Sequence, residues 1–367
     1  MDLTGRIRRW ALGRPRVLVI DAPGGERFRW QLEDELDRRH WPLALSPADT
    51  DLALVLGRPG AQLAAAIELL WSQVPQPRHR QDIAADGDLP AQLDAASVAL
   101  VDAANRTEPV QPGAQTQLGN LGPEPDDVDD EHAGHSGHEG HHMHHGGDVA
   151  GLAMADTAPD RDGLTLDVLR VALGPVLPGW PTGLVLTGSM QGDVLTGVEL
   201  AWVDGSDDPN HGVLQATPQA VAMDQLARIL LVAGWPTAAA AARRARRDLS
   251  GSHPQRAAQT QRAAARVASR VRGSRALRWS VQGIGSTDRG MTPAGSAHAA
   301  GDVWGGVRHW CDVAAGGEPV PVAGSPRSLT EASILLEGSE LAAARLVVAT
   351  MDLERPATRV ETESTGV

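Results

Sequence analysis

The sequence RVLVIDAPGG at residues 16–25 is a β-branched run that ends in a turn. A second apolar run, DLALVLG at 51–57, follows it, and between the two lies Phe28–Arg39, whose mixed polarity predicts a helix. Short apolar runs bounded by glycine and proline are typical of buried strands. Strands and helices that alternate at this spacing predict an α/β domain with a short parallel sheet over residues 1–104.

One more helix and one more strand complete this predicted domain. Leu63 and Ile67 recur at helical spacing within Ala61–Gln73, which predicts an amphipathic helix. The run SVALV at Ser97–Val101 is apolar and partly β-branched, and it predicts the third strand of the sheet.

Residues 105–162 show no hydrophobic periodicity, and Pro, Gly, Gln, Asp and His dominate them. Such a segment buries too little apolar surface to offset the entropy that it would lose on ordering. We therefore expect a disordered linker here, which includes the acidic run Glu124–Glu131, and a disordered tail at 356–367.

The predicted linker carries seven histidines: His132, His135, His138, His141, His142, His144 and His145. Neutral imidazole is a good ligand for Ni, Zn and Cu ions, and an unstructured chain can wrap several imidazoles around one ion. We expect these histidines to bind such ions without forming a fixed site. Two interpretations stay open, namely a solvated spacer and a metal store or delivery segment.

A second folded region is predicted over residues 163–355. It begins with a hairpin of Leu184–Thr187 and Asp193–Leu195 that continues into Val198–Val203, followed by helices over Gln219–Ala233, Thr237–Leu249 and Arg256–Val271. It ends with a strand at Leu277–Gln282, a strand at Ser333–Leu336 and a strand or helix at Ala342–Met351. The expected fold class of this region is α+β with a helical centre.

Composition and charge exclude several functional classes. The net charge of −13 argues against general nucleic-acid binding. The single cysteine, Cys311, rules out an intramolecular disulfide and an iron–sulfur cluster held by this chain alone, because such a cluster needs about four thiolates. The first residues resemble neither a signal peptide nor a membrane anchor, and no apolar run approaches the roughly 20 residues of a membrane-spanning helix. We therefore expect a soluble, cytoplasmic protein.

Arginine is concentrated between residues 228 and 278. Arg262, Arg266 and Arg270 are spaced four apart and so share one helical face, and Arg243, Arg244, Arg246 and Arg247 precede them. This arginine stripe is interpreted first as a solvated helix face. The alternative is a docking surface for an acidic partner, for the acidic linker or for anionic lipid headgroups.

Two weaker patterns have a plain structural explanation. Gly24-Gly25 follows the first strand as a phosphate-binding turn would, but neither a dinucleotide fingerprint nor a P-loop lysine accompanies it, which favours an ordinary turn. Cys311 lies beside His309 and Asp312, yet no spacing indicates a nucleophile and its base, which favours a buried, inert thiol.

Two groups of motifs resemble two neighbouring subunits of one complex. PRVLVIDAPGG at Pro15–Gly25, then SP and DLALVLG within 46–57, then WSQVPQPR at 71–78 resemble the small, cluster-carrying subunit of respiratory complex I and of the [NiFe] hydrogenases. LRVALGPVLPGWPTGLVLTGSMQGDVL at Leu169–Leu195 resembles the start of the large subunit, on the quinone or nickel side. The order, small and then large, implies that one chain fuses relatives of both subunits.

The same resemblance implies that the redox centres are lost. The family has cluster cysteines after the first strand, where Pro23–Phe28 has none, and the chain contains no tyrosine to contact a quinone. Leu177 stands where the family has a histidine near the quinone. The resemblance therefore implies a non-catalytic structural or assembly subunit, without a fixed cofactor, that other subunits of a complex-I-like or hydrogenase-like assembly hold at the inner face of the membrane.

By the same resemblance, contacts with partner subunits are expected at Gly174, Pro175, Pro178, Gly192 and Asp193, with Arg262, Arg266 and Arg270 as a docking face. An exposed patch of Trp180 and Trp202 is expected there as well. Two alternatives stay open. One is a metal-handling accessory protein that acts through the histidine tract, and the other is a subunit of an electron-transfer complex whose clusters lie in partner chains.

Overall fold

The computed structural model describes residues 12–22, 26–84, 87–105, 156–159, 164–204, 216–251, 254–286, 302–318 and 327–353. Their strands and helices form two sheets and the layers around them. In chain order these elements are β1 (Val17–Asp21), α1 (Glu26–Arg39), β2 (Leu52–Leu56), α2 (Ala61–Ser72), β3 (His79–Ile83), α3 (Leu89–Asn105), β4 (Asp156–Pro159), β5 (Thr165–Leu173), β6 (Leu184–Gln191), β7 (Val194–Trp202), α4 (Pro218–Val232), α5 (Pro236–Ser250), α6 (Ala257–Arg272), α7 (Arg275–Val281), α8 (Val303–Ala314), α9 (Leu329–Leu336) and α10 (Leu341–Thr350).

The first sheet is parallel and has the order β1-β2-β3. Every residue of the central strand β2 is buried, as expected of a strand covered on both faces. One apolar cluster on this sheet joins Val17 and Leu54 to Leu32 and Leu36 of α1 and to Leu93 of α3. The predicted short parallel sheet is confirmed.

The predicted third strand is wrong. Ser97–Val101 lies inside helix α3, where Leu93, Ala96 and Leu100 are buried at helical spacing. The third strand is instead β3, with the polar sequence HRQDI at His79–Ile83. It lies at the edge of the sheet, and four of its five residues are at least partly exposed, so it carries no apolar signal.

The second sheet is antiparallel and has the order β4-β5-β6-β7. The predicted hairpin is confirmed, and Gly192-Asp193 forms its turn between β6 and β7. Strand β4 lies within the range predicted as linker, and the prediction of disorder is wrong for Asp156–Pro159 because these residues pair with β5. The rest of the predicted linker beyond Asn105, which includes the histidine tract, lies outside the described residues, as do Gly24-Gly25 and residues 356–367.

Helices form the centre of the second region. Helix α4 buries Met223, Leu226 and Leu230, and it packs against α5, α8 and α10. The alanine-rich α5 buries small side chains, which lets it lie close to α4. The three helices predicted here, α4 to α6, are confirmed. None of the described helices is both long and apolar enough to cross a membrane.

The strands predicted in the last part of the chain are wrong. Leu277–Gln282 forms most of helix α7, in which Leu277 and Val281 are buried one helical turn apart. Ser333–Leu336 belongs to α9, which Ser328 and Glu331 begin with a capping box. Ala342–Met351, for which a strand or a helix is expected, is mainly the helix α10. A short apolar run can belong to a buried helix or to a strand. For α9 the capping box of Ser328 and Glu331 indicates the helix.

The two sheets contact each other. One apolar cluster combines Leu18 and Ile20 of β1 with Val185 and Val203 from the second region. The carboxylate of Asp204 also accepts hydrogen bonds from the backbone amides of Gln62 (3.1 Å) and Leu63 (2.8 Å), at the N-terminus of α2. A residue that follows β7 thus satisfies the amides that begin a helix about 140 residues earlier in the chain.

Gly174 has a backbone that leaves no room for a side chain. Its φ is +92°, and an added Cβ would lie 2.1 Å from the carbonyl oxygen of Leu184. Because the positive φ and the clash both act, we expect Gly174→Ala to lower the free energy of unfolding by about 3 kcal/mol. Gly192→Ala is the control, since its φ is +63° but no atom lies within 4 Å, and it should lose about 1 kcal/mol. Urea unfolding measures both variants, and equal losses would contradict the clash.

Candidate functional site

Charged side chains are buried where α1 faces α4 and α5. Asp21 ends β1, Arg29 and Glu33 lie on α1, Asp224 lies on α4, and Arg246 lies on α5. We call these five residues the buried ion cluster. Arg246 is fully buried, and Asp224 is 5 % exposed. Charges removed from water to this extent must be paired, because an uncompensated buried ion costs several kcal/mol.

Asp224 binds three arginines. Its Oδ2 lies 2.6 Å from Nη2 of Arg29, and its Oδ1 lies 2.7 Å from Nη1 of Arg246. The Nε of Arg228, one helical turn along α4, is 3.4 Å from Oδ2. Asp224 therefore links α1 to α5 through a single carboxylate.

Arg29 in turn contacts three carboxylates from three elements. Besides Asp224, its Nη1 donates to Glu33 at 2.7 Å, and its Nε lies 3.5 Å from Asp21. Glu33 also accepts from Nη1 of Arg246 at 2.8 Å. Thr182, which follows β5, donates a hydrogen bond of 2.5 Å to Asp21. The network thus spans the parallel sheet, the loop before β6 and two helices of the second region.

The pKa values of the cluster follow from this geometry. Burial alone would raise the pKa of Asp224, but the attraction of Arg29, followed by Arg228 and Arg246, holds it far below the ordinary 3.8. Burial likewise opposes ionisation of Glu33, yet Arg29 and Arg246 keep its pKa below 4.5. Desolvation prevails at Asp34, whose pKa is raised in spite of Arg246, 3.3 Å away. Asp224 and Glu33 are therefore ionised throughout the neutral range.

A cavity of about 100 Å³ adjoins the buried ion cluster. Its walls are mostly apolar and include Val17, Leu177 and Leu231, while Arg228 and Arg243 line its polar side. Burial lowers the pKa of Arg243. The described lining residues include neither histidine nor cysteine, and the carboxylates among them are bound to arginines. This arrangement fixes the orientation of β1, α1, α4 and α5 relative to one another.

The structure separates the residues predicted to contact partners. Pro178 lines the cavity and Pro175 is buried, so both face the inside of the fold near the start of β6. Gly192 and Asp193 are exposed at the far end of β6, eight residues along the strand. Five predicted contacts therefore do not form one surface. The expected exposed tryptophan patch is wrong, because Trp180 is 5 % exposed and Trp202 packs against the helical core.

The predicted arginine stripe divides into two parts. Arg262, Arg266 and Arg270 are exposed on α6, as a solvated face would be, and Arg270 lies 5.6 Å from the ring of Trp235. The upstream arginines differ, because Arg246 belongs to the buried ion cluster and Arg247 pairs with Asp37 of α1 at 2.8 Å. The prediction that Arg246 and Arg247 belong with the exposed arginines is therefore wrong.

Cys311 is the buried thiol that the sequence favours, with 2 % exposure. Burial raises its pKa to about 12, and Asp312 adds to the effect. The thiol is thus protonated at neutral pH, when only the thiolate is a strong nucleophile or metal ligand. Burial also lowers the pKa of His309.

The predicted metal-binding histidines cannot be placed, since all seven lie outside the described ranges. Within those ranges no group of three or more His, Cys, Asp or Glu side chains is arranged to hold a metal ion. The buried ion cluster was not predicted. Arg29 and Glu33 are four residues apart on a predicted helix, so their own ion pair could have been predicted from the sequence. No local pattern indicates that Asp224 and Arg246 are their partners.

Comparison of the chain with protein-family models, with curated proteins and with solved structures gives no match. The function must therefore be inferred from the chain's own residues and contacts.

The first prediction from this site concerns Asp224. Asp224→Asn leaves Arg29 and Arg246 short of a buried counter-charge, so we expect the free energy of unfolding to fall by about 3–5 kcal/mol. Asp94→Asn is the matched control, because Asp94 is 71 % exposed and pairs only with Arg39 among the described residues. Its loss should stay below about 1 kcal/mol. Equal losses in urea unfolding would show that the cluster does not constrain the fold.

The second prediction concerns pH. Asp224 and Glu33 have lower pKa values in the folded state than the ordinary 3.8 and 4.5, so their stabilisation is complete above these values and is lost as the pH falls below them towards the folded-state pKa values. Asp34 acts in the opposite direction and offsets part of the loss. We expect the unfolding free energy to decline below about pH 4.5, with a slope that Glu33→Gln reduces by up to about 1.4 kcal/mol per pH unit. An unchanged slope in the variant would contradict this assignment.

Proposed function

We propose that this chain is a non-catalytic structural subunit of a membrane-associated respiratory assembly related to complex I or to the [NiFe] hydrogenases. In this proposal one chain replaces two neighbouring subunits and retains their mutual packing without their redox centres. Its task is to bridge other subunits during assembly and in the finished complex.

A direct contact between the two resembling motifs carries the proposal. Asp21 belongs to the small-subunit-like motif at 15–25, and Thr182 belongs to the large-subunit-like motif at 169–195. Their side chains share a hydrogen bond of 2.5 Å. Leu18 and Val185, from the same two motifs, lie in one apolar cluster. Two stretches that resemble adjacent subunits are adjacent in this chain, which supports a fusion that kept their interface.

The departures at the same place support a non-catalytic role. Leu177 replaces the family's histidine and lies on the wall of the cavity, where it can neither donate a proton nor bind a metal. Cys311, the only cysteine of the chain, is buried on α8 with a protonated thiol. Iron–sulfur clusters need about four thiolates, so any cluster of the assembly would be held by other chains.

The proposed location is peripheral, at the inner face of the membrane beside proton-pumping subunits. The exposed hairpin turn at Gly192 and Asp193 is one proposed contact with a partner subunit.

The proposal is tested by isolating the tagged full chain from gently solubilised membranes. We expect antiporter-like membrane subunits and cluster-carrying subunits to co-purify, and we expect deletion of the chain to remove the assembled complex from native gels. Restoring the chain as Cys311→Ser should restore the complex and its activity, because the thiol has no redox role. A monomer without membrane partners would overturn the proposal, and so would stoichiometric iron with visible cluster absorption in the purified chain.

A further inference from the structure

Residues 254–286 form a strongly basic part of the described chain. They contain seven arginines and neither aspartate nor glutamate, whereas the whole chain has a net charge of −13. All seven side chains are exposed. We call them, together with Trp279, the basic surface: Arg256, Arg262, Arg266, Arg270, Arg272, Arg275, Arg278 and Trp279.

Helices α6 and α7 turn these residues away from the core. On α6 the buried positions are Ala264, Ala268 and Val271, and at about 100° per residue Arg262 and Arg266 lie on the opposite side. The helix therefore presents guanidinium groups over its whole outward face.

The next helix repeats the arrangement. On α7 the buried positions are Leu277 and Val281, and the same rotation places Arg275 and Trp279 opposite them. Only Gly273-Ser274 separates the two helices, so the arginines of α6 and of α7 lie close together along the chain. A carboxylate from a neighbouring helix contacts this surface, because Asp312 of α8 pairs with Arg272.

Trp279 distinguishes this surface from an ordinary solvated helix face. It is 87 % exposed, the highest value among the large apolar side chains of the described residues. An indole beside guanidinium groups suits the headgroup level of a bilayer, where tryptophan is enriched and arginine contacts phosphates. The charge distribution suits it as well, because an anionic membrane attracts this surface and repels the acidic remainder of the chain.

We propose that the basic surface binds anionic phospholipid bilayers. Contacts between the arginines and the lipid phosphates provide the attraction, and Trp279 enters the interface between headgroups and acyl chains. Lipid headgroups are mobile, so they can occupy widely spaced arginines without the concave, complementary surface that a folded partner needs. The inference does not depend on which assembly contains the chain.

The test is co-sedimentation of the full chain with vesicles of phosphatidylcholine alone and of phosphatidylcholine mixed with phosphatidylglycerol. We expect binding only to the anionic vesicles, weakening as the salt rises from about 0.1 M to about 1 M because the Debye length then falls from about 10 Å to about 3 Å. Each arginine near the surface contributes about fivefold, so Arg262→Gln, Arg266→Gln and Arg275→Gln together should weaken binding by about 100-fold.

A charge-matched control separates the surface from net charge. Arg14→Gln, Arg58→Gln and Arg170→Gln remove the same three charges from exposed positions elsewhere, and this triple variant should bind within about twofold of the unaltered chain. Trp279→Ala should weaken vesicle binding and leave the thermal midpoint unchanged, because the side chain is almost fully exposed.

Three results would overturn the proposal. The first is no binding to anionic vesicles, and the second is an equal loss in both triple variants. The third is that the chain binds soluble polyglutamate as tightly as it binds anionic vesicles, and that Trp279→Ala does not weaken the polyglutamate binding. That result would assign the surface to an acidic polypeptide. If the unaltered chain does not bind anionic vesicles but the respiratory assembly is found, this inference alone is overturned. If it binds the vesicles but no such assembly is found, only the proposed function is overturned.

Discussion

The arrangement of the described chain depends on the pairing of Arg29 with three carboxylates. Asp21, Glu33 and Asp224 come from β1, α1 and α4, and no one of these elements can move far without leaving a buried charge uncompensated. Such a network is not thereby a large source of net stability, because a buried ion pair of good geometry often does no more than offset its own desolvation. What it provides is orientation. Alternative packings of α1 on α4 and α5 would lose the pairing and are excluded by that cost.

Apolar and polar contacts have different roles where the two regions meet. Leu18, Ile20, Val185 and Val203 remove area from water, but such contacts are tolerant of sliding because the hydrophobic effect has no direction. Hydrogen bonds from Gln62 and Leu63 to Asp204, and from Thr182 to Asp21, fix the register at either end of this contact. Both need particular atoms within about 3 Å, so they specify one arrangement among those that the apolar cluster would accept.

The sequence predicted the elements whose burial leaves an apolar pattern. It did not predict those that depend on hydrogen bonds or ion pairs between distant residues. The fully buried β2 could be predicted from its continuous apolar run, and α4 from apolar residues such as Met223 and Leu226 that recur at helical spacing. The edge strand His79–Ile83 could not, since its polar residues face water and only its hydrogen bonds to β2 make it a strand. The buried ion cluster could not be predicted either. Arg29 and Asp224 are 195 residues apart, and in the sequence neither differs from a charged residue on the exposed face of an amphipathic helix.

Joining the two regions in one chain changes what their contact must achieve. Fifty residues separate Asn105 from Asp156, and the covalent connection makes contact between the two regions an intramolecular step. Separate subunits at cellular concentrations would need a standard interface of about 1,600 Å² with well-packed anchors. Tethered regions need only enough attraction to close the contact and enough specificity to close it in one way. A compact network of arginines and carboxylates beside an apolar cluster meets that second requirement.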